Sequence, residues 1–395
     1  MANNNKHTGP NVPALRFPEF SGEWEKFRVS DFIEFFPTNS LSWDQLEYRG
    51  AGLLNLHYGM IHNGLPIQVD ASKNALPSIK EEFNPKKYTL CKEGDIAFAD
   101  ASEDTNDVGK AIEFNNCAGK SIVCGLHTIH GRDRLELTSI GFKGYLFSSK
   151  VYHDQIKSIS QGTKVFSIKA SNFDEVILGL PKKEEQKKIS SLLMAIDDRI
   201  LTQSKIIEEQ ETLLKSLAAK LFLQNNHSCQ LSEIVNIVKG KQLNADTLSE
   251  TGDYYVMNGG ITPSGYYSEY NVPAGAISIS EGGNSCGYVQ FNEKPFWSGG
   301  HCYSLQCRTN LVDYKYIYYY LKTKEADVMA LRIGSGLPNI QKKDIEKFTI
   351  SYPSLQLQKQ FVKALDALSG KINTEKNLLE KYCQQKSYLL SQMFI

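Results

Sequence analysis

The feature that most constrains this chain is that it repeats itself. Displaced by 172 positions, residues 181–222 fall on 353–394, and ten of the 42 pairs are identical: Pro181/Pro353, Gln186/Gln358, Lys187/Lys359, Leu193/Leu365, Ala195/Ala367, Ile200/Ile372, Thr202/Thr374, Glu208/Glu380, Leu217/Leu389 and Phe222/Phe394. The offset continues upstream, matching Lys143 with Lys315, Lys150 with Lys322, Gly162 with Gly334 and Ile168 with Ile340. Further upstream it changes: VSDFI at 29–33 resembles LSEIV at 231–235, GDI at 94–96 resembles GAI at 275–277, and His127 falls near His301. From Ile33 to Phe142 is 109 positions and from Val235 to Tyr314 is 79, so the first copy carries about 30 additional residues. A fixed frame around a variable middle, present twice, implies two domains of one plan, and 395 residues exceed what a single core usually serves.

Each copy is a mixed segment followed by a helical one. Short strand-like runs (EGDIAFAD, KVFSI, AGAISIS, KFTISYP) lie among Gly-, Asn- and Pro-rich turns, and DYKYIYYYLKTKEADVMAL at 313–331 reads as one helix. The segment after Pro181 runs without Gly or Pro past Phe222, which predicts a helix of about 40 residues entered through a proline whose missing N–H is not needed there. Its apolar positions step by four and three, Ile189, Leu193, Ile196, Ile200, Ile207, Leu214 and Leu217, as a heptad seam does. The second copy presents Phe361, Leu365, Leu368, Ile372, Leu379 and Leu389 at the same steps. Gln203, Gln210, Glu375 and Lys386 interrupt the seam, and are expected to pair with one another or meet another subunit. At 1.5 Å per residue each helix spans roughly 60 Å. A plain bundle core is the alternative use of such helices.

The boundaries that follow are an amino-terminal arm at 1–20, mixed domains at 21–180 and 227–352, a central long helix at 181–226 and a closing long helix at 353–395. The fold class is α+β. With 44 basic and 44 acidic residues the formal charge is zero, which by itself argues mildly against a nucleic-acid binder. The polar start MANNNKHTGP and the lack of a long apolar run point to a cytoplasmic protein without a membrane partner. Eight cysteines without a CxxC pair read as reduced, mostly buried thiols.

Enzymatic chemistry would need motifs that this sequence lacks. No Asn-Pro-Pro-Tyr-like or strand-linked GxGxxG sequence occurs, and AGKS at 118–121 lacks the first P-loop glycine because Phe114 stands there. DASEDTNDVGK at 100–110 fails as a calcium loop: read from Asp104, its fifth and twelfth positions are Val108 and Asn115. His57/His62 and His127/His130 have spacings that can bind zinc on a helix, but their glycine-containing surroundings look like turns. No catalytic residue, metal site or cofactor is expected.

The order mixed domain, P-x4-Q-K helix, mixed domain, second P-x4-Q-K helix resembles the specificity subunits of type I restriction-modification systems. NVPALRFPEFSGEWEKFRVSDF, EGDIAFADASED and IGSGLPNIQKKDIEKFTISYPSLQLQKQ carry the likeness over nearly the whole chain. It implies two target recognition domains in pseudo-twofold arrangement, separated by two long helices that pair as an antiparallel coiled coil. Each domain would read half of a split, asymmetric site in double-stranded DNA, with the helices setting the unread spacer. Two methyltransferase subunits and restriction/translocase subunits would dock on it. S-adenosylmethionine, ATP and Mg would belong to those partners alone, and the chain itself would be non-catalytic. A duplicated protein–protein adaptor that never meets DNA is the alternative.

For a DNA reader, residues 142–170 hold five lysines against Asp154, and residues 308–347 hold eight basic against five acidic residues. Each such stretch contains a polar glycine loop suited to phosphate oxygens: Gln161, Thr163 and Lys164 in the first copy; Arg332, Ser335, Asn339 and Lys342 in the second. Base reading falls to the unequal middles, where donors and acceptors can enter a groove. The candidates are His57, Tyr58, His62, Asn63, Lys110, Arg132 and Arg134 in the first copy. In the second they are Lys239, Lys241, Gln242, Tyr255, Asn258, Tyr266, Tyr267, Asn284 and His301.

Overall fold

The computed structural model describes residues 11–48, 52–105, 107–162, 164–223, 226–334, 336 and 338–395. They form two compact units: the chain up to Thr202 together with Leu379–Ile395, and Gln203–Leu378.

In the first unit a five-stranded sheet runs in the order Ile33–Phe36, Thr128–Asp133, Ile96–Ala99, Ala111–Asn116, Gln68–Asp70. Its pairs are antiparallel except the last, which is parallel. Ile96–Ala99 is buried along its whole length, and strand alternation sends its side chains into two cores. Ile96 and Phe98 join Ile33, Ile129, Phe142, Tyr145 and Tyr152. Ala97 and Ala99 join Ile112, Phe114, Cys91 and Cys124 on the other face. That second core is closed by a side sheet in the order Ile122–Cys124, Leu54–Leu56, Ser78–Ile79, Leu46–Glu47.

The second unit repeats the plan with one strand fewer: Val235–Lys239, Cys302–Cys307, Ala276–Ser280, Val289–Asn292, all antiparallel. Its side sheet has three strands, Tyr266–Tyr267, Tyr254–Met257 and Phe296–Ser298. The excess in the first copy lies mainly between its first two central strands: 59 residues separate Phe36 from Ile96, against 36 between Lys239 and Ala276. The helix expected over 313–331 is two helices, Tyr314–Thr323 and Glu325–Met329. Lys324 leaves helical geometry (φ −96°, ψ 18°), and the next carboxylate, Glu325, turns to the Val289 N–H and to Lys322.

The long helices are Lys183–Phe222 and Leu355–Gln392. Each leaves its domain through a buried glutamine bracket that explains the P-x4-Q spacing. Gln186 Nε2 donates to the Pro181 carbonyl at 2.8 Å while its Oε1 accepts from the Ser139 N–H at 2.7 Å. Gln358 does the same with the Pro353 carbonyl and the Asp313 N–H, at 2.8 and 2.7 Å. One turn of helix lets the side chain reach back to the proline carbonyl, and both amide ends are satisfied out of water.

Within each unit the helices pack antiparallel on the predicted seam. In the first, Ile189, Leu193 and Ile196 share a core with Leu389, Met393 and Phe394, and Lys386 meets Asp197 at 2.5 Å. In the second, Ala218 and Phe222 share a core with Phe361 and Leu365. There Gln203 Nε2 donates to Glu375 Oε2 at 2.7 Å, so two of the seam's polar interruptions pair with each other. These residues are 172 apart, the repeat offset itself. Gln210 keeps a buried Oε1 without a hydrogen-bond partner.

Candidate nucleic-acid interface

The two central sheets end in the same device. In the first unit Asp100 follows the strand Ile96–Ala99. Its N–H donates to the His127 carbonyl at 3.1 Å, and its own carbonyl accepts from the Ile168 N–H at 2.9 Å. His127 Nδ1 stands 3.0 Å from Asp100 Oδ1. In the second unit Glu281 follows Ala276–Ser280. Its N–H donates to the His301 carbonyl at 2.9 Å, its carbonyl accepts from the Ile340 N–H at 2.8 Å, and His301 Nδ1 lies 3.5 Å from Glu281 Oε2. Both histidines are exposed, at 50% and 60% of the side chain. The glycine loops close beside them through equivalent bridges, Gln161 with Ser167 and Ile333 with Asn339. A histidine–carboxylate pair at a strand end, with a polar loop alongside, is therefore built twice from the same backbone hydrogen bonds.

What surrounds the pair differs. In the first unit it is aromatic. The rings of His57 and Trp43 are 4.3 Å apart, those of His57 and Tyr58 4.7 Å, and Tyr58 meets His127 and His62 edge-on at 5.2 and 5.9 Å. His57 is buried, and its Nδ1 accepts the Gly59 N–H as the cap of the short helix Tyr58–His62. Burial, and then the charge of His127, hold its imidazole below the usual histidine value. His62 Nε2 lies 3.0 Å from the Ala101 carbonyl, and Lys110 donates to the His62 carbonyl at 3.1 Å. The expectation that His57 and His62 sit in turns is thus corrected to a one-turn helix, and His130 belongs to the strand Thr128–Asp133.

In the second unit the surroundings are cationic and amidic. Lys239 Nζ and the Tyr303 hydroxyl both donate to Glu281 Oε1 at 2.7 Å. Asn258 Oδ1 accepts the His301 N–H at 3.1 Å. Lys241 and Gln242 are exposed on the next segment, Asn284 is exposed just after Glu281, and Gly282 bridges Asn339. Arg332 and Lys342 are exposed on the flanks of the loop, and Lys342 pairs with Glu346 at 3.6 Å. Thr163 and Ser335 lie outside the described residues.

Several sequence candidates stand apart from these patches. Arg132 is committed to a buried carboxylate: its Nε and Nη2 donate to Asp95 at 2.8 and 2.7 Å, and its guanidinium covers the Phe36 ring at 4.9 Å. Arg134 donates to the Asp31 carbonyl at 2.8 Å. It follows the strand that His127 precedes, so some 20 Å of extended chain separates the two. Tyr255 stacks on Phe296 at 5.6 Å and donates to Asn292, while Tyr266 and Tyr267 are half-buried in the side sheet. Gln161, Lys164 and Asn63 are exposed. Glu281 and the pairing of Asp100 with His127 are not singled out by the sequence reading, which takes 100–110 only as an acidic run; the GDI/GAI correspondence, carried six residues on, places each carboxylate at the same strand end.

Residues 225–381 match the type I restriction modification DNA specificity domain. The chain is 26% identical over 306 residues to a putative type I specificity subunit of Mycoplasma genitalium, covering 73% of this chain and 79% of that protein. It is 33% identical over 152 residues to a putative type I specificity subunit of Mycoplasma pneumoniae, covering 38% and 40%. In fold it resembles the crystal structure of a type I restriction-modification S subunit from M. genitalium, with TM-score 0.63, 20% identity and coverage of 97% and 99%. A second solved type I system chain matches with TM-score 0.56 and 16% identity over 93% and 96%. The duplicated mixed domains and their linking helices thus have the fold of type I restriction-modification S subunits, and the second copy carries the match to the type I DNA specificity domain.

Proposed function

We propose that the chain reads a two-part DNA sequence and carries the subunits that act on it, without itself methylating or cutting. The observation that supports this most is the duplicated histidine–carboxylate pair beside a polar loop, set in unlike surroundings. A common backbone frame suits contacts to phosphate, which position a protein without reading sequence. Unlike linings suit two different half-sites. The carboxylates limit the acidity each patch offers to DNA by facing histidine in both units and also lysine in the second. The likeness of the chain to type I specificity subunits supports methyltransferase and restriction subunits as partners, with S-adenosylmethionine, ATP and Mg held by them. No helix among the described residues is long and apolar enough to cross a membrane.

The test is to assemble the chain with its methyltransferase and map methylated adenines. A bipartite asymmetric site is expected. His127→Ala should relax one half and His301→Ala the other, each by roughly tenfold, the size of a lost base contact of about 1–3 kcal/mol. A steep fall of affinity with salt should accompany binding. Salt-independent association, or no sequence preference, would reject the reading in favour of an adaptor. Inserting two helical turns after Lys205 should lengthen the spacer and leave both halves intact.

A further inference from the structure

Beneath the first unit's patch lies a cluster that DNA reading does not use. Cys91, Cys124 and His130 are buried, and their ligand atoms lie within 4.8 Å of one another. The two sulfurs are 3.6 Å apart. Two thiolates on a tetrahedral zinc at about 2.3 Å each stand about 3.8 Å apart, so the pair already has nearly the spacing of a coordination edge. His130 Nε2 is held at 2.8 Å by Asp95 Oδ2, while its Nδ1 is buried without a hydrogen-bond partner. A carboxylate on one imidazole nitrogen with the other nitrogen free is how metal-binding histidines are oriented.

We propose that Cys91, Cys124 and His130 Nδ1 form a binding site for a single thiophilic divalent cation, zinc being the natural occupant. The charges balance: two thiolates neutralise the cation, and Arg132, bound to Asp95 through both Nε and Nη2, neutralises the carboxylate behind the histidine. That balance is what a buried charged site requires. The three ligands come from three pieces of the domain. Cys91 precedes the central strand Ile96–Ala99, Cys124 ends a side-sheet strand, and His130 is in the central sheet. The cation staples the side sheet to the central sheet under the histidine patch. In the second unit the position matching His130 in register is Ser304, paired with Ser278 where His130 pairs with Ala97. The staple therefore belongs to the first half alone. Sequence spacing could not reveal it, because Cys91 and Cys124 are 33 residues apart and His130 pairs with neither in any short motif.

The full chain, purified under reducing conditions and dialysed against zinc and then buffer, should retain one zinc per chain. Cobalt in its place should give intense thiolate-to-metal absorption and the visible bands of a tetrahedral centre. Both readouts use the wild-type chain and do not depend on whether variants fold. Cys124→Ser and His130→Gln should each weaken retention by at least tenfold, and Cys307→Ser with Cys383→Ser, which removes the exposed thiols, should leave it unchanged. No retained metal, octahedral cobalt without thiolate bands, retention lost with the exposed thiols, or a Cys91–Cys124 disulfide in the reduced preparation would each overturn the site.

Discussion

The two mixed domains share a frame but not an interior chemistry. At one matching place the first domain buries Lys143 with its Nζ 3.3 Å from Glu113 Oε1, and Glu113 also accepts the Gly141 and Gly144 N–H groups. In the second, Lys315 lies over the ring of Phe291 at 5.3 Å and reaches Asp366 near the surface. Glu113 and Phe291 occupy the same register, opposite Ile96 and Ile277. One frame therefore accepts an ion pair in dry protein or a cation resting on an aromatic face. The difference teaches that the backbone plan fixes where the lysine emerges, while the residue facing it decides whether its charge is desolvated.

Breaking that contrast gives the largest expected effect. Glu113→Ala should destabilise the first unit by about 3–5 kcal/mol, because a buried lysine loses its counter-charge and two N–H groups lose their acceptor. Lys315→Ala should cost the second unit no more than about 1 kcal/mol, as exposed cation–π contacts and ion pairs do. Hydrogen exchange resolved by segment would compare them, and equal losses would erase the distinction. Next come the glutamine brackets, where the units should behave alike: Gln186→Ala and Gln358→Ala should each cost about 1–3 kcal/mol through an unsatisfied buried N–H. Denaturant midpoints unequal by more than that spread would show that the repeat's hinges have diverged.

The smallest effect is set by pH. His57, kept below its ordinary value of 6.5 by burial and then by the charge of His127, stays neutral in the folded chain while the unfolded chain takes a proton. Its contribution is complete above 6.5 and is lost as the pH falls from there toward the folded value. The first unit should therefore lose stability on mild acidification, and His57→Gln should flatten that slope. A slope unchanged by the substitution would assign the effect elsewhere.

How much of this was legible in the sequence depended on range. The seam residues Ile189 to Leu217 and their copies are readable because helical periodicity is local, and the buried positions follow it. The histidines of the patches were found through the repeat, but their carboxylates were not. Asp100 reads as the start of an acidic loop, and only the fold turns it back on His127. Arg132 has the chemistry that suits guanine; that it spends its donors on Asp95, 37 residues earlier, is long-range information. The break at Lys324 was invisible because its cause, the Val289 N–H, lies on a strand 36 residues from Glu325.

The contact of Gln203 with Glu375, separated by the repeat offset itself, has a consequence for how such a chain can drift after gene duplication. Everywhere else in the antiparallel pair a side chain faces a residue that is not its own counterpart, so either copy changes against an independent neighbour. Here a position meets its own descendant. Two identical carboxylates would repel each other there, whereas an amide on one side and a carboxylate on the other makes donor meet a charged acceptor. At this crossing a twinned acid is the combination to avoid, and one amide is enough to relieve it.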